Sequence, residues 1–268
     1  MPVEMLLEET SFNLPIDQPR FHVDQSCFQE ENLRHKYGLP IDDPEEFGLH
    51  DLFHNFQPQL LRETFCPPHY LFEQIFIGKN MNLYYSQKNP CWYKCPDWFA
   101  VVGTHHLYPQ TDDGNEVRQS YSIWEEQVNP LIVIELLSPS TQQQDLGKDS
   151  RKPNQPPRLW DVYEKIVKIP YYVTFHDEKN ELQIFKRVKH RYRLQPDDYL
   201  WIPELELGLG LWLGTYQGWE RQWLRWYDAE GDWVPTPVEQ ERQRADEQQQ
   251  IAEKLAAQLR LLGIEPEL

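Results

Sequence analysis

Two acidic residues stand where neighbouring strands of a sheet could bring them together. Asp97 directly precedes the apolar run Trp98–Val102, and Glu135 lies inside a second apolar run, 131–137. A glutamate flanked by isoleucine and leucine is costly to bury in its charged form unless something compensates the charge. A divalent cation does so directly, because carboxylate oxygens are the ligands that Mg2+ prefers. The pair therefore predicts a site for Mg2+, or for Mn2+ in its place.

Other interpretations of Glu135 remain open. Its side chain could turn outwards at the end of the strand, or it could pair with a cation on the following helix, such as Arg158 or Lys165. Glu73 could add a third carboxylate to the pair, although a solvated glutamate on a helix is the simpler interpretation.

The apolar segments predict how these residues are positioned. The two runs and a third, 171–175, have the length and composition of strands, and 131–137 is apolar almost throughout, as in a strand covered on both faces. Residues 159–167 carry apolar side chains at helical spacing. Strand, helix and strand in this order predict a crossover unit. The expected fold class is α/β, a mixed β-sheet flanked by helices.

Composition divides the chain into three parts. Residues 1–66 are rich in proline and acidic residues, and we expect an irregular extension that packs along the core. Residues 67–235 hold the predicted sheet, preceded by an amphipathic helix over 69–76. Residues 236–268 are expected to form a polar C-terminal helix. Apolar residues recur there every seven positions, which a single solvated helix and a coiled-coil homodimer explain equally well.

Overall composition favours a folded protein outside the membrane. Hydrophobic residues make up 40% of the chain and aromatic residues 13%, which is enough for a packed core. The mean hydropathy is −0.73, and the sequence has no apolar run of the roughly 18 residues that a spanning helix needs. The first ten residues include three glutamates and no lysine or arginine, unlike a secretory signal. We expect a cytoplasmic location and no membrane partner.

Charge argues against general nucleic-acid binding but leaves one local exception. The formal net charge is −17, so the chain as a whole does not attract polyanions. The segment 186–193 nevertheless holds five lysine or arginine residues, in a predicted hairpin with arms 181–188 and 191–195. We expect Arg187 and Lys189 on one arm and Arg191 and Arg193 on the other, where they could contact a DNA backbone. Alternatively, such charges only keep a sheet edge soluble.

Other chemistry has less support in the sequence. Cys91 and Cys95 form a C-x3-C pair that could hold zinc, but no second cysteine pair follows and idle thiols are the simpler interpretation. Neither a phosphate-binding P-loop nor a dinucleotide fingerprint occurs, so no nucleotide cofactor is expected.

Several segments together resemble a known family. They are Pro96–Val102, 132–141, 145–147, 160–163 and 169–173. In this order they resemble the Uma-type family of restriction-endonuclease-like proteins, which lies within the PD-(D/E)xK nuclease superfamily and is common in cyanobacteria. The resemblance covers roughly residues 67–268. It implies a restriction-endonuclease-like fold with Asp97 and Glu135 holding Mg2+, which would activate a water for attack on a phosphodiester.

The lysine of this pattern is missing. The superfamily places it two residues after the glutamate, at Leu137, and the family places it four residues before a tyrosine, at Leu159. Arg158 and Lys148 are the candidates to replace it. Arginine can stabilise charge on phosphorus but exchanges protons poorly. Two functions are therefore open: a Mg2+-dependent DNA endonuclease that acts as a homodimer, or a catalytically impaired nuclease-fold protein that serves as a binding or assembly module.

Overall fold

A computed structural model of the chain describes residues 52–106, 118–138, 142–148 and 155–262. In chain order its strands are β1 (Ile75–Lys79), β2 (Leu83–Tyr84), β3 (Tyr93–Lys94), β4 (Trp98–Val102), β5 (Tyr121–Ser122), β6 (Ile132–Leu136), β7 (Tyr171–His176), β8 (Glu181–Val188), β9 (Arg191–Leu194), β10 (Tyr199–Ile202), β11 (Leu207–Tyr216) and β12 (Trp219–Tyr227). Its helices are α1 (Leu52–Thr64), α2 (Ile123–Glu126), α3 (Gln142–Asp145), α4 (Leu159–Asp161, continued by the π-helical turn Val162–Val167) and α5 (Pro237–Leu261).

The largest sheet is mixed and has six strands in the order β1-β4-β6-β7-β8-β9. Strands β6 and β7 are parallel and are joined through α4, whereas the other neighbours in this sheet are antiparallel. The crossover unit and the α/β fold class predicted from the sequence are therefore confirmed. Two three-stranded sheets accompany the first, β10-β11-β12 and β3-β2-β5.

Strand β6 is buried on both faces, as its apolar sequence predicts. Its residues Ile132, Ile134 and Leu136 face a core that includes side chains of α1 and of β10–β12. Val133 points to the other face, where it packs in a second core with Val162 of the π-helical turn that continues α4. Because side chains alternate along a strand, Glu135 points to the same face as Val133, the helix-covered face.

The prediction of a helix over residues 69–76 is wrong. Residues Phe72–Gln74 form a single 3-10 turn, and the chain continues directly into β1. The backbone from Ile75 onwards pairs with β4, beginning with Ile75 opposite Val102. The apolar spacing fits a helix or a strand, and pairing with β4 makes this segment a strand. Glu73 accordingly lies in the turn and not on a helix, and its carbonyl accepts a hydrogen bond from His106 N–H.

A helix lies within the segment that we expected to be irregular. In α1, Phe53, Leu60 and Leu61 are buried in the core shared with β12. Gln57 of α1 pairs with the free edge of β12: its Nε2 donates to the carbonyl of Leu224 and its Oε1 accepts from Leu224 N–H, both at 2.9 Å. This side-chain amide satisfies the outward N–H and C=O of Leu224, as a residue of a further strand would. The division of the chain at residues 66 and 235 stays a prediction.

The predicted C-terminal helix is confirmed as α5. It begins with a capping box, in which the Thr236 hydroxyl accepts from Glu239 N–H and the Glu239 carboxylate accepts from Thr236 N–H. Glu239 also pairs with the buried Arg225 of β12, which joins the start of α5 to the sheet. Most of the following side chains are exposed. No helix in the described part of the chain combines the length and the apolar character needed to cross a membrane.

Gln57 provides a test of how the edge of β12 is stabilised. Gln57→Leu leaves the buried N–H and C=O of Leu224 without these partners, and each such loss costs about 1–3 kcal/mol. We expect the free energy of unfolding in urea to fall by roughly 2–4 kcal/mol. Gln59→Leu is the control on the same helix, because Gln59 donates to Glu63 one turn further along. Equal losses in the two variants would show that the pairing with Leu224 is not what stabilises this edge.

Candidate active site

The structure brings Asp97 and Glu135 together. Trp98 lies opposite Ile134 in the antiparallel β4–β6 ladder, so the preceding Asp97 lies beside Glu135. The N–H of Asp97 donates to Glu135 Oε2 at 3.1 Å. In return, Asp97 Oδ2 accepts from the N–H of Leu136 at 2.6 Å. Two hydrogen bonds, each donated by a main-chain N–H to a carboxylate, therefore hold the two acidic side chains at one end of the sheet.

Glu135 is a buried carboxyl with an unusual pKa. Its side chain is inward, with 4% of the residue exposed, so the expectation that it could turn outwards is wrong. Oε1 accepts a hydrogen bond from the Tyr163 hydroxyl at 2.9 Å. Burial raises the pKa of Glu135 well above its ordinary value, and the negative charges of Asp97 and Asp145 raise it further. The hydrogen bonds from Asp97 N–H and Tyr163 act in the opposite direction.

Asp145 is a third acidic residue at this end of the sheet, and sequence reasoning did not select it as a site residue. It lies at the end of α3, is buried, and acts electrostatically on Glu135, Tyr163 and Tyr172. Its carbonyl accepts a hydrogen bond from the Tyr172 hydroxyl at 2.9 Å. The available signal was its place in the segment 145–147, which resembles the Uma-type family. Neither spacing nor periodicity connects this residue with Glu135.

The acidic residues suit a hard cation better than a soft one. Carboxylate oxygens of Asp97 and Glu135 are ligands that Mg2+ accepts, and Mg2+ is commonly bound by one or two carboxylates together with water. A positive charge beside Glu135 would also offset the burial and the repulsion that together raise its pKa. Within the described ranges, which include Cys91 and Cys95, no group of three or more His, Cys, Asp or Glu side chains is arranged to hold a metal ion. Zinc binding through the two cysteines therefore gains no support.

The two positions at which nuclease patterns place lysine are apolar and buried. Leu137 is 4% exposed and Leu159 is 5% exposed. Arg158 donates from Nε to Asp161 Oδ2 at 2.8 Å and from Nη1 to the Gly147 carbonyl at 3.1 Å. Lys148 follows Gly147 and is exposed. These bonds place Arg158 and Lys148 beside one another, at the junction of α3 and α4.

Lys165 was the other expected partner of Glu135. It pairs instead with Asp161, one turn earlier on the same helix. The two donors to the Glu135 carboxyl, the Asp97 N–H and the Tyr163 hydroxyl, are both uncharged. Neither of these donors therefore neutralises a negative charge on Glu135.

The basic hairpin forms as predicted, but its cations are distributed differently. Arg187 of β8 lies opposite Tyr192, and its Nε donates to the carbonyl of Glu164 at 2.7 Å. One donor of this guanidinium is therefore engaged within the protein. Lys189 belongs to the two-residue turn and has a positive φ of 61°, so its expected place on a strand arm is wrong. Arg191 lies 3.8 Å from the Glu164 carboxylate, and Arg193 is exposed opposite Lys186.

Comparison with known proteins identifies the family. Residues 44–217, well over half of the chain, match the family described as "Uma2: Putative restriction endonuclease". The chain belongs to this family. The matched region includes Asp97, Glu135, Arg158, Lys148 and the cations of the β8–β9 hairpin. The family resemblance that the sequence suggested is thereby confirmed.

The chain is also similar to one solved structure, described as a putative nuclease belonging to DUF820 from Anabaena variabilis ATCC 29413. The two share 12% sequence identity with a TM-score of 0.33, over 50% of this chain and 62% of that chain. This chain thus spans less than two thirds of the length of that protein. No match was found among curated proteins.

The raised pKa of Glu135 predicts a stability that depends on pH. The folded state retains the carboxyl proton at pH values where the unfolded chain has lost it, so stability falls as the pH rises through the folded pKa. Glu135→Gln removes this titration. Its amide fits because the oxygen can accept from Asp97 N–H while the Tyr163 hydroxyl accepts from the amide NH2. We expect metal-free Glu135→Gln to melt at least about 2 °C higher than the wild type at pH 8, with the difference shrinking towards pH 5.

Thermal melts in EDTA, followed by circular dichroism, measure this difference. Glu241→Gln, at an exposed position of α5, is the control for removing one negative charge from the protein. A difference between Glu135→Gln and the wild type that does not change with pH would contradict the raised pKa.

Proposed function

We propose that this member of the nuclease family is a metal-dependent endonuclease that hydrolyses phosphodiester bonds of DNA. The observation that carries the proposal is the juxtaposition of Asp97 and Glu135 at adjacent strand ends, where each side chain accepts a hydrogen bond from the backbone beside the other. Two carboxylates held in this way, one buried and one half-buried, form an oxygen-lined site for a divalent cation. Mg2+, or Mn2+, suits these ligands.

The residues of the chain have separable tasks in this proposal. Asp97 and Glu135 would hold the cation, which when bound would lower the pKa of a water and offset charge on the phosphate. Tyr163 orients Glu135 by donating to Oε1 and leaves the other oxygen turned towards Asp97. Asp145 adds a negative charge that strengthens the attraction for a cation at this end of the sheet.

DNA is the proposed substrate because one local surface is basic in an otherwise acidic chain. The turn residue Lys189 and the strand residue Arg193 are exposed at the hairpin, together with Lys186 opposite Arg193. Arg187 and Arg191 lie nearer to Glu164 and interact with it. We therefore expect these two arginines to contribute less to phosphate binding. Of the cations in this proposal, Arg158 and Lys148 lie closest in sequence to the acidic residues Asp97, Glu135 and Asp145.

The alternative function is a nuclease-fold protein that binds or assembles without cutting. It is favoured by Leu137 and Leu159, which are buried where the family patterns place the lysine. The exposed apolar residues of α5, among them Val238, Ile251 and Leu255, would then serve assembly. In either case we propose that α5 pairs with a second copy of the chain. Sedimentation equilibrium that gives only monomer at micromolar concentrations would remove this part of the proposal.

Cleavage of supercoiled plasmid tests the proposed activity. We expect nicking or linearisation in Mg2+ or Mn2+, none in EDTA, and a loss of at least about 100-fold in Glu135→Ala and in Asp97→Asn, because each change removes a carboxylate from the cation site. Glu230→Ala, at an exposed turn, is the control that removes an acidic side chain elsewhere. Pure wild-type protein that cuts in neither metal would reject catalysis and leave the binding function.

The basic hairpin predicts a salt-dependent contact with DNA. Each phosphate neutralised contributes about 0.9 to the slope of log affinity against log salt concentration. Lys189→Ala combined with Arg193→Ala should therefore weaken binding and reduce that slope by about 2. Fluorescence anisotropy with a labelled duplex in Ca2+ gives both values. Lys88→Ala combined with Lys254→Ala removes the same charge from exposed positions outside the hairpin, and an equal effect there would argue against a hairpin contact.

A further inference from the structure

Two buried polar side chains of β7 point to the same face as Glu135. Side chains alternate along β7: Tyr171, Val173 and Phe175 belong to the core on the α1 side, and Tyr172 belongs to the core under α4. Thr174 and His176 therefore share the face of Tyr172, which is also the face of Glu135. Thr174 is the direct register partner of Glu135 in the parallel ladder.

His176 lies beside the position from which the lysine is missing. The ladder continues past the last residue of β6, because the N–H of Leu137 donates to the carbonyl of Phe175 at 2.8 Å. In a parallel ladder this bond sets Leu137 next to His176. A lysine at 137 and a histidine at 176 would thus project from neighbouring strands, on the same face, one step beyond Glu135.

Both polar side chains have an atom with an unmet hydrogen-bonding need. Thr174 is 0% exposed and His176 is 4% exposed. Among the residues that the structure describes, neither Thr174 Oγ1 nor His176 Nδ1 has a hydrogen-bond partner. A buried polar atom without a partner costs about 1–3 kcal/mol. A bound ligand, an ion or an ordered water is one way in which such an atom is satisfied. Here two of them lie in successive rows beside the acidic pair.

We propose that His176 is a catalytic residue of this site and takes the place of the missing lysine. The inference rests on the proposed nuclease function. His176, with its proton on Nδ1, donates a hydrogen bond to a non-bridging oxygen of the scissile phosphate. Leu137 and Leu159 have no side-chain donor for this purpose, whereas an imidazole N–H is one. Thr174, opposite Glu135 in the ladder, is a second buried polar side chain on the same face of the sheet.

The proposed role requires no proton transfer by the histidine. During hydrolysis the oxygen of water forms a bond to phosphorus while the bond from phosphorus to the leaving sugar oxygen breaks. The attacking water releases a proton to solvent, and the leaving oxygen takes one from solvent. His176 keeps its proton and stabilises the negative charge that grows on the phosphoryl oxygens, as donors directed at a transition state do.

A spectroscopic experiment tests contact with the phosphate independently of turnover. The full chain carries 15N-labelled histidine, and a short DNA duplex is added in Ca2+. We expect the ring resonances of His176, assigned by their disappearance in His176→Gln, to shift on addition of DNA. His69 is the internal control: it pairs with Glu206 and precedes β1, whose first residue lies opposite Val102, at the far end of β4 from Asp97. Duplex binding with unchanged His176 resonances would overturn the proposal.

Kinetic measurements test whether the histidine replaces the lysine. His176→Ala should lower kcat for plasmid cleavage by at least about 100-fold, the usual effect of removing one donor to a transition state, with a smaller change in KM. Adding Leu137→Lys to His176→Ala should raise kcat at least about tenfold above that of His176→Ala alone. The new ammonium would lie directly beside position 176, on the neighbouring strand. His69→Ala should be as active as the wild type. Urea unfolding of each variant shows whether it is folded.

The outcomes separate the two proposals. If Glu135→Ala abolishes cleavage while folded His176→Ala remains active, the metal-dependent nuclease stands and the role of His176 is rejected. Loss of activity in His176→Ala without rescue by Leu137→Lys would reject the replacement of the lysine. If the wild type neither binds nor cuts DNA in any metal, both proposals fall together.

Discussion

A buried carboxyl in the central strand is the constraint on which the rest of the structure depends. Glu135 lies in β6, which has strands on both sides and a core against each face, so its oxygens must be satisfied from within the fold. One oxygen accepts from the backbone at the start of β4 and the other from Tyr163 in the turn after α4. The same carboxyl thus links three elements that are distant in the sequence. Burial and the nearby acidic charges outweigh these hydrogen bonds, so the pKa of Glu135 is raised.

The surrounding scaffold positions this end of the sheet through aromatic packing. Trp98 directly follows Asp97, and its ring packs with that of Phe65 at 5.4 Å and with that of Trp226 at 5.9 Å. Phe65 follows α1, and Trp226 belongs to β12. The pairing of Gln57 with Leu224 joins α1 to that same strand. Helix α1 and β12 therefore support the start of β4, and through it the position of Asp97. Their contribution to function is indirect, by positioning.

Charge is distributed unevenly, with positive charge concentrated at one hairpin of an otherwise acidic chain. The chain as a whole is acidic, with a net charge of −17, yet the β8–β9 hairpin exposes several cations. Part of that positive charge is engaged by Glu164, whose carbonyl and carboxylate lie beside Arg187 and Arg191. The remainder, including Lys189 and Arg193, points to solvent. The register of the sheet places the turn of this hairpin beyond the level of Ile132 and Tyr171, whereas Glu135 lies at the other end of β6, opposite Thr174.

The sequence by itself determined the strands around the acidic pair, the crossover between β6 and β7, the hairpin and the polar C-terminal helix. Each follows from local patterns: a continuous apolar run, helical spacing over 159–167, or a composition rich in polar helix formers. The same patterns were insufficient for 69–76, because its apolar spacing fits a helix as well as a strand and only pairing with β4 distinguishes them. They also missed α1, which contains Pro58 within the helix.

Tertiary structure alone decided which residues meet at the site. The sequence selected Asp97 and Glu135, since an acid inside an apolar strand is conspicuous. It did not connect them with Asp145, Tyr163, Thr174 or His176. The register of a parallel ladder places Thr174 opposite Glu135 and His176 two residues further along β7. Tyr163 contacts Glu135 because of how its helix is rotated over the sheet. Register and rotation depend on the packing of residues far apart in the chain, so local spacing could not reveal them.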